Sequence, residues 1–485
     1  MDATTTVILD YFEKINAIPR CSHHEAAVCQ WLQQWAAQRN LSYSSDSVGN
    51  LVVRVPSSPG CESAPTVVLQ GHMDMVCEKT PESDHDFAKD PIVSHREGDW
   101  LTATDTTLGA DNGIAIAYML ALVDAPSLVH PPLELLFTID EETGLNGAKQ
   151  LEPGFIKGRH LINLDSEDEG IFTIGCAGGV DTTIKHAFEA NDLPSDSAVL
   201  KVVVGGLKGG HSGIDIHKHR GNANKIIARV LAEALQVSPV RLAALNGGSR
   251  KNAIPRDTRA LICISKVDTD RVLEVMGEAA QTIQAEYASS DKALFIEATS
   301  VPKIEAPSTA LDQQATEKIL RMLLSLPDGV FGMSAELEGM VETSSNLATV
   351  SLDQNKLILL SSQRSAIISR LNEVSAAVHS IANLAGASAE DHDFYPPWQP
   401  RKSSLLLKRS KETYRTLYDR DPVVQVIHAG LECAVIGDIY PNMDMISFGP
   451  TIRNPHSPDE RILVPSIIGV WDFLTALLKE ITVPS

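Results

Sequence analysis

No stretch of this sequence approaches the roughly 18 uninterrupted apolar residues that a membrane span needs, so no span is expected. The opening MDATTTVILDYFEKINAIPR begins with an acid and has no basic segment ahead of an apolar one, so no leader is expected. Basic charge is scarce: 41 Lys and Arg face 62 Asp and Glu, a net charge of −21. That balance argues against nucleic acid or an anionic membrane as a main partner. Cysteine is thin, at seven scattered residues with no CxxC pair. Reduced thiols in a cytoplasmic protein are the expectation, with Cys77 a small buried filler. What remains is an ordinary folding composition, 43% hydrophobic and 21% charged over 485 residues. A chain of that length holds a sizeable core and roughly two to four domains.

The first residues read as a helix, a turn at Pro19 and a second helix. Ser22 and Glu25 have capping-box spacing ahead of the apolar-patterned AAVCQWLQQWAA. From about residue 50 to 180, short apolar runs alternate with a helical one. The runs are 66–69, 133–137 and 161–164, and residues 113–122 are apolar on nearly every face, as in a helix buried against a sheet. This pattern predicts α/β layers around a mostly parallel central sheet flanked by helices. The Gly-rich 175–179 marks a boundary, and Pro396-Pro397-Trp398-Gln399-Pro400 marks a return. The expected architecture is a split catalytic domain, 1–179 and 393–485, with an inserted α+β lid domain, 180–392. Inside the insert, NAIP, ALICIS and RVLEVMGEAAQTIQAEY are echoed by NLAT, KLILLSS and SAIISRLNEVSAAVHSIANLAG. Duplicated halves and chance similarity both account for that echo.

The three short apolar runs and a fourth at 445–448 lead into metal-type side chains: His72 with Asp74, Glu141-Glu142, Asp165, and His456. Between the first two sits Asp111, at the start of the apolar helix. In open α/β sheets ligands bind beyond the carboxyl ends of the strands. Carboxylates gathered there repel one another and resist desolvation, and one or two divalent cations would compensate them. Taken singly, each residue has a plainer reading. His-x-Asp is a weak motif, but residues two apart share a strand face, so Asp74 could hold the His72 ring and fix its tautomer. Asp111 could be only a helix N-cap. Glu141-Glu142 could be a solvated face. Asp165 could be a loop acid like Glu167, Asp168 and Glu169, and His456 a residue of a rigid turn.

The motifs IPRCSHHE, GHMDMVCEK, LGADNGIA, TIDEETGLNGA, NLDSEDEG, GLKGGHSGIDIHKHRGNAN and SFGPTIRNPHSPDE together resemble the aminoacylase and glutamate-carboxypeptidase-like co-catalytic zinc peptidases, in their dipeptidase branch. The resemblance covers nearly the whole chain. It implies two zinc ions per subunit, with manganese or cobalt as substitutes. His72 and Asp165 would hold one, Glu142 and His456 the other, and Asp111 would bridge them. It further implies Asp74 as buttress of His72, Glu141 as general base, and a cis peptide after Asp111. From the insert, His211 would hydrogen-bond the developing oxyanion and Arg364 would grip the substrate's free carboxylate, with Asn222, Asn252 and Asn346 as weaker polar contacts. His428 and Glu432 are candidates for the substrate amine or simply a half-buried pair; His217 and His219 read as surface or lid residues. Such a ligand set makes chemical sense, because a metal pair lowers the pKa of a water while a nearby carboxylate takes its proton.

The expected activity is hydrolysis of unblocked dipeptides, Xaa-His included, by a cytoplasmic homodimer. N-acyl amino-acid deacylation or carboxypeptidase action on the same site is the alternative. A metal-binding scaffold without turnover is disfavoured by Glu141 standing beside a complete ligand set.

Overall fold

The structure, a computed structural model, describes residues 3–335, 337–353, 355–401 and 403–483. The chain divides into two compact units, Met1–Cys176 with Trp398–Val426 and Leu431–Ser485, and Ala177–Pro397 with Ile427–Gly430. The divisions fall a few residues from 179 and 392, and the short segment carrying His428 belongs to the second unit.

The first unit is built on an eight-stranded sheet. Its centre is four parallel strands in the order Leu133–Thr138, Val67–His72, His160–Asn163 and Asp444–Ser447. The strands Leu51–Val55 and Ile171–Cys176 flank them antiparallel, so parallel pairing is confined to the middle. The first three central strands carry near-continuous apolar runs because both faces are covered. Helix Ala110–Val123 is buried from Asn112 to Leu122. Each of its fully buried Ile, Leu and Met side chains contributes about 1.5–3 kcal/mol by leaving water.

Ladder bonds continue one residue past the strand ends. Met73 N donates to Thr138 O at 2.7 Å, Leu164 N to Gln70 O at 2.9 Å, and Phe448 N to Asn163 O at 3.1 Å. All four central strands therefore release their chains at one sheet edge in fixed register.

Two local expectations are corrected. Ser22 and Glu25 do not form a capping box. Helix Ala26–Gln38 has no side-chain cap; Ser22 Oγ donates to Asp74 Oδ2 at 2.8 Å, and Glu25 Oε1 accepts from His23 N and Asp140 N, each at 3.0 Å. Ser22 is drawn to the distant Asp74, and Glu25 divides one oxygen between the local His23 N and the distant Asp140 N. Cys77 is not a free buried filler: it forms a disulfide with Cys21, with Cα atoms 5.7 Å apart. An isolated bridge between Cys21 and Met75 brings the two together. Cys29, Cys61, Cys176, Cys263 and Cys433 are in no disulfide.

The second unit is an antiparallel nine-stranded sheet. The strand–helix parts of the two echoed segments take similar places, whereas NAIP pairs with Gly210–His211 in a separate two-stranded sheet and NLAT lies inside the strand Val341–Asp353 of the large sheet. Thr258–Ser265, helix Thr269–Glu286 and Phe295–Ser300 flank the strand Ser197–Gly205. Lys356–Ser365, helix Ile368–Leu384 and Ser388–Tyr395 flank Gly178–Ala187.

Candidate metal centre

At the carboxyl ends of the central strands, two imidazoles and three carboxylates meet in two trios. His72 Nε2 lies 3.1 Å from Asp111 Oδ1 and 3.4 Å from Asp165 Oδ1. His456 Nε2 lies 3.1 Å from Asp111 Oδ2 and 3.0 Å from Glu142 Oε2. Asp111 thus belongs to both trios, one oxygen facing each. Within each trio the potential ligand atoms lie within 4.8 Å of one another. Asp111 is not a helix N-cap. Gly109, left-handed at φ +71°, holds that position, while Asp111 and Asn112 depart from helical geometry and the peptide between them is cis.

Asp74, fully buried, organises the rear of the site. Its Oδ1 accepts from Glu141 N at 3.1 Å and faces His72 Nδ1 at 3.3 Å. Its Oδ2 accepts from Ser22 Oγ and, at 3.2 Å, from Glu142 N. His72 Nδ1 also lies 3.1 Å from Asp74 O, so with a cation bound the proton would stay on Nδ1 and Nε2 would be the ligating nitrogen. Without one, Nε2–H donates to Asp111, and against its burial the neighbouring carboxylates raise His72 well above its ordinary range. One carboxylate therefore fixes a histidine tautomer and the backbone of both adjacent glutamates.

The electrostatics are those of crowded acids in a dry setting. Burial raises Glu142 to about 7, with Asp111's charge adding to it. Asp165 is raised to about 6 by burial, against the pull of His72. Glu141 is raised well above the usual carboxylate range by burial and by Glu142, Asp165 and Glu432. Asp111 goes the other way: although burial opposes its charge, hydrogen bonds from His456 and His72 keep it ionised. Those bonds hold His456 up to about 12 against its own burial. Glu167 lies in the loop after Asp165, half-buried, where burial and the charge of Asp111 raise it to about 8.

Glu432, fully buried, accepts from Gln70 Nε2 at 2.6 Å and Thr138 Oγ1 at 2.8 Å, and burial raises it to about 8.

In the second unit, His211 Nδ1 accepts from Gly213 N and Ile214 N, each at 3.1 Å, so the ring proton sits on Nε2, the form that can donate. Arg364 is half-buried and donates from Nη1 to Tyr395 Oη at 2.6 Å. His428 is buried, its Nε2 2.7 Å from Ser344 Oγ, and burial with Arg364 lowers it to about 3. Asn222 is engaged internally: it caps helix Ala223–Val237 and donates to Asp328 at 2.7 Å. Asn346 is buried and donates to Ala253 O, whereas Asn252, His217 and His219 are exposed.

Residues 68–480 match the model of peptidase family M20/M25/M40. The chain is 40% identical to the cytosol non-specific dipeptidase of Escherichia coli, over 97% of each chain. The chain belongs to this peptidase family. It is also similar to the crystal structure of an aminoacylhistidine dipeptidase from Vibrio alginolyticus, at 39% identity and TM-score 0.85, covering 99% of this chain and 98% of that one. An aminopeptidase from Bacillus cereus, at 14% identity and TM-score 0.55 over 98% of each chain, shares the fold. The part of this M20/M25/M40 chain that matches the family model contains all five residues of the two trios.

Sequence reasoning missed four side chains that shape the site: Ser22, Glu25, Arg20 and Glu460. All four lie in quoted motifs, IPRCSHHE and NPHSPDE. For Arg20 and Glu460 the available signal was an ionic residue within a motif that no local structure required; for Ser22 and Glu25 the capping-box spacing hid it.

Proposed function

We propose that the protein is a metal-dependent dipeptidase acting on unblocked dipeptides, Xaa-His included, with two divalent cations, zinc in the first instance, at the two trios. Manganese and cobalt suit the same donors. The observation that carries this reading is the splitting of Asp111, whose two oxygens face different histidine–carboxylate pairs. The donor set fits the cations chemically. Each trio joins imidazole to carboxylate, and the buried Glu142 Oε1 has no hydrogen-bond partner. His72 and Asp165 would hold one cation, Glu142 and His456 the other, and Asp111 both. The relatives named as dipeptidases, at 39–40% identity over nearly the whole chain, support the substrate class.

When bound, a cation pair supplies an acidified water and a polarised scissile carbonyl. Glu141, anchored through its backbone N–H to Asp74, takes the proton from the attacking water and returns it to the leaving amine. Its adjacency to Glu142 lets one chain segment provide a ligand and a base, because successive side chains point differently. Asp74 keeps His72 in the tautomer that presents Nε2. His211 donates from Nε2 to the developing oxyanion. Arg364 binds the free carboxylate of the dipeptide. With the far carboxylate held, residues 180–392 act as a lid that selects short substrates. Asn252 and Asn346 are secondary contacts. A homodimer in the cytoplasm completes the reading, on the name of the Escherichia coli relative and the family resemblance.

The test is hydrolysis of free and N-acetylated dipeptides by metal-stripped protein before and after zinc is restored. Zinc-dependent cleavage of free dipeptides alone is the expected result. Preferential cleavage of acetylated substrates would replace it with N-acyl amino-acid deacylation. Tight binding of two zinc ions without any hydrolysis would refute the enzymatic reading.

A further inference from the structure

Arg20 heads the largest fully buried side chains among the described residues, at 1% exposure. A buried cation needs partners, and three of its four acceptors belong to segments that deliver candidate ligands, the fourth being Asn16 at the end of the first helix. Nη1 donates to Met73 O at 3.1 Å and Asp74 O at 2.9 Å, on the segment that follows His72. Nη2 donates to Gly109 O at 2.6 Å, two residues before Asp111, and to Asn16 Oδ1 at 3.4 Å. Its slot is made by absent side chains. A Cβ on Gly109 would lie 2.5 Å from Nη2, and one on Gly113 would lie 2.7 Å from it. Both glycines of the GADNG motif thereby admit the guanidinium.

Glu460, 2% exposed, grips the same loop through its N–H groups. Oε2 accepts from Leu108 N at 2.7 Å and Gly109 N at 2.9 Å, and Oε1 accepts from Asp111 N at 3.2 Å. Leu108, Gly109 and Asp111 thus have their N–H donors on a buried carboxylate and the Gly109 carbonyl sits on a buried cation. Charge-assisted bonds of this kind are stronger and more directional than neutral ones.

We propose that Arg20 and Glu460 are positioning residues that clamp the Leu108–Asp111 loop, and so hold the Asp111 carboxylate with one oxygen toward each trio. Arg20 ties that loop to the Met73–Asp74 segment, so the clamp sets the separation of Asp111 from His72. The inference rests on the reading of Asp111 as a shared metal ligand.

The test loads metal-stripped parent, Glu460→Gln, Arg20→Lys and Asp111→Asn proteins with Mn²⁺. Affinity is read by calorimetry, and the spacing of the two ions by the spin-coupled signal in electron paramagnetic resonance. Glu460→Gln keeps the shape but sets an NH2 against backbone donors; Arg20→Lys keeps the charge but loses the fork. Both are expected to bind a second Mn²⁺ about 10–100-fold more weakly, to lose or alter the coupled signal, and to lower kcat more than they raise KM. A purely structural role would lower the melting temperature and leave the coupled signal of the folded protein intact; that result overturns the clamp. Should Arg20→Lys fail to fold, Gly113→Ala presses a methyl on the same guanidinium and is expected to alter the signal similarly; a parental signal there overturns Arg20's part. Asp111→Asn separates the two levels. Parental binding of two coupled ions by this variant would refute the shared-ligand reading itself, whereas loss in Asp111→Asn with parental behaviour in Glu460→Gln would refute only the clamp.

Discussion

Replacing Asp74 by Asn tests the site's supporting layer with almost no change in volume. Asp74 receives Ser22 Oγ, Glu141 N and Glu142 N at 2.8–3.2 Å and faces His72 Nδ1 at 3.3 Å. An amide keeps one acceptor oxygen and turns the other into a donor, so two of these four donors lose their acceptor. Hydrogen bonds to charged groups contribute about 1.5–3 kcal/mol each, which places the gross loss at about 3–6 kcal/mol. Rotation of the amide and admission of water recover part of it. The net expectation is the usual range for partners of metal ligands, 10–100-fold in metal affinity, or about 1.4–2.7 kcal/mol. Because Asp74 also anchors Glu141, kcat with saturating metal should fall at least about tenfold. The assay is competition for zinc against a chelator of known affinity, followed by dipeptide turnover at saturating zinc. Acid sensitivity provides a second readout. Against the cost of its burial, the bond and charge of His72 hold Asp74 at about 2, below its ordinary 3.8. Its ionised form stabilises the fold above 3.8, and that stabilisation disappears as pH falls through 2, so the variant should lack this part of the parent's acid limb. Metal affinity and turnover both within twofold of the parent would refute Asp74 as the organising carboxylate.

Glu141→Gln should retain both cations while kcat drops by about 10²–10⁴-fold; an unchanged rate in a metal-loaded sample removes Glu141 as the base. His211→Ala should reduce turnover by about 10²–10³-fold with metal content unaltered, and loss of metal on elemental analysis would show that its role is misplaced. Binding of metal near pH 6.5 should release protons, because His456 is held up to about 12 by Asp111 and Glu142, and burial lifts Glu142 to about 7. Both raised values make the metal-free fold lose stability as pH rises from 6.5 toward 8, and metal should cancel that slope. Calorimetry in two buffers of different ionisation enthalpy reads the protons directly, and none released would contradict these protonation states. Under denaturing, non-reducing conditions the protein should react at the five cysteines outside the disulfide, and at seven after reduction. Cys77→Ser should cost up to about 4 kcal/mol by chain-entropy reasoning for a cross-link spanning 56 residues. Seven reactive thiols without reductant would refute the Cys21–Cys77 disulfide.

The central strands were legible because burial on both faces demands continuous apolar residues, and the helix at 110–123 because it is apolar all round. Acids and histidines just past those runs had no packing reason to be there, which made His72, Asp111, Glu142, Asp165 and His456 candidates from the sequence alone. The echo in the insert comes back as two strand–helix–strand arrangements in one sheet, and both duplication and chance similarity still account for it. Asn222 illustrates the opposite case: a polar residue in a suggestive motif that the fold uses as a helix cap.

Apolar periodicity by itself determined the sheet, the buried helix and the strand-end placement of the acids, because each depends on spacings within one segment. Only the tertiary structure decided which oxygen of Asp111 faces which histidine, and that Ser22 and Glu25 leave a local cap for Asp74 and Asp140. It also joined Cys21 to Cys77 and set Arg20 and Glu460 on one loop. Hydrogen bonds act over about 3 Å in space, and these partners lie 52 to 351 residues apart in the chain. No spacing rule within a helix or strand reaches that far.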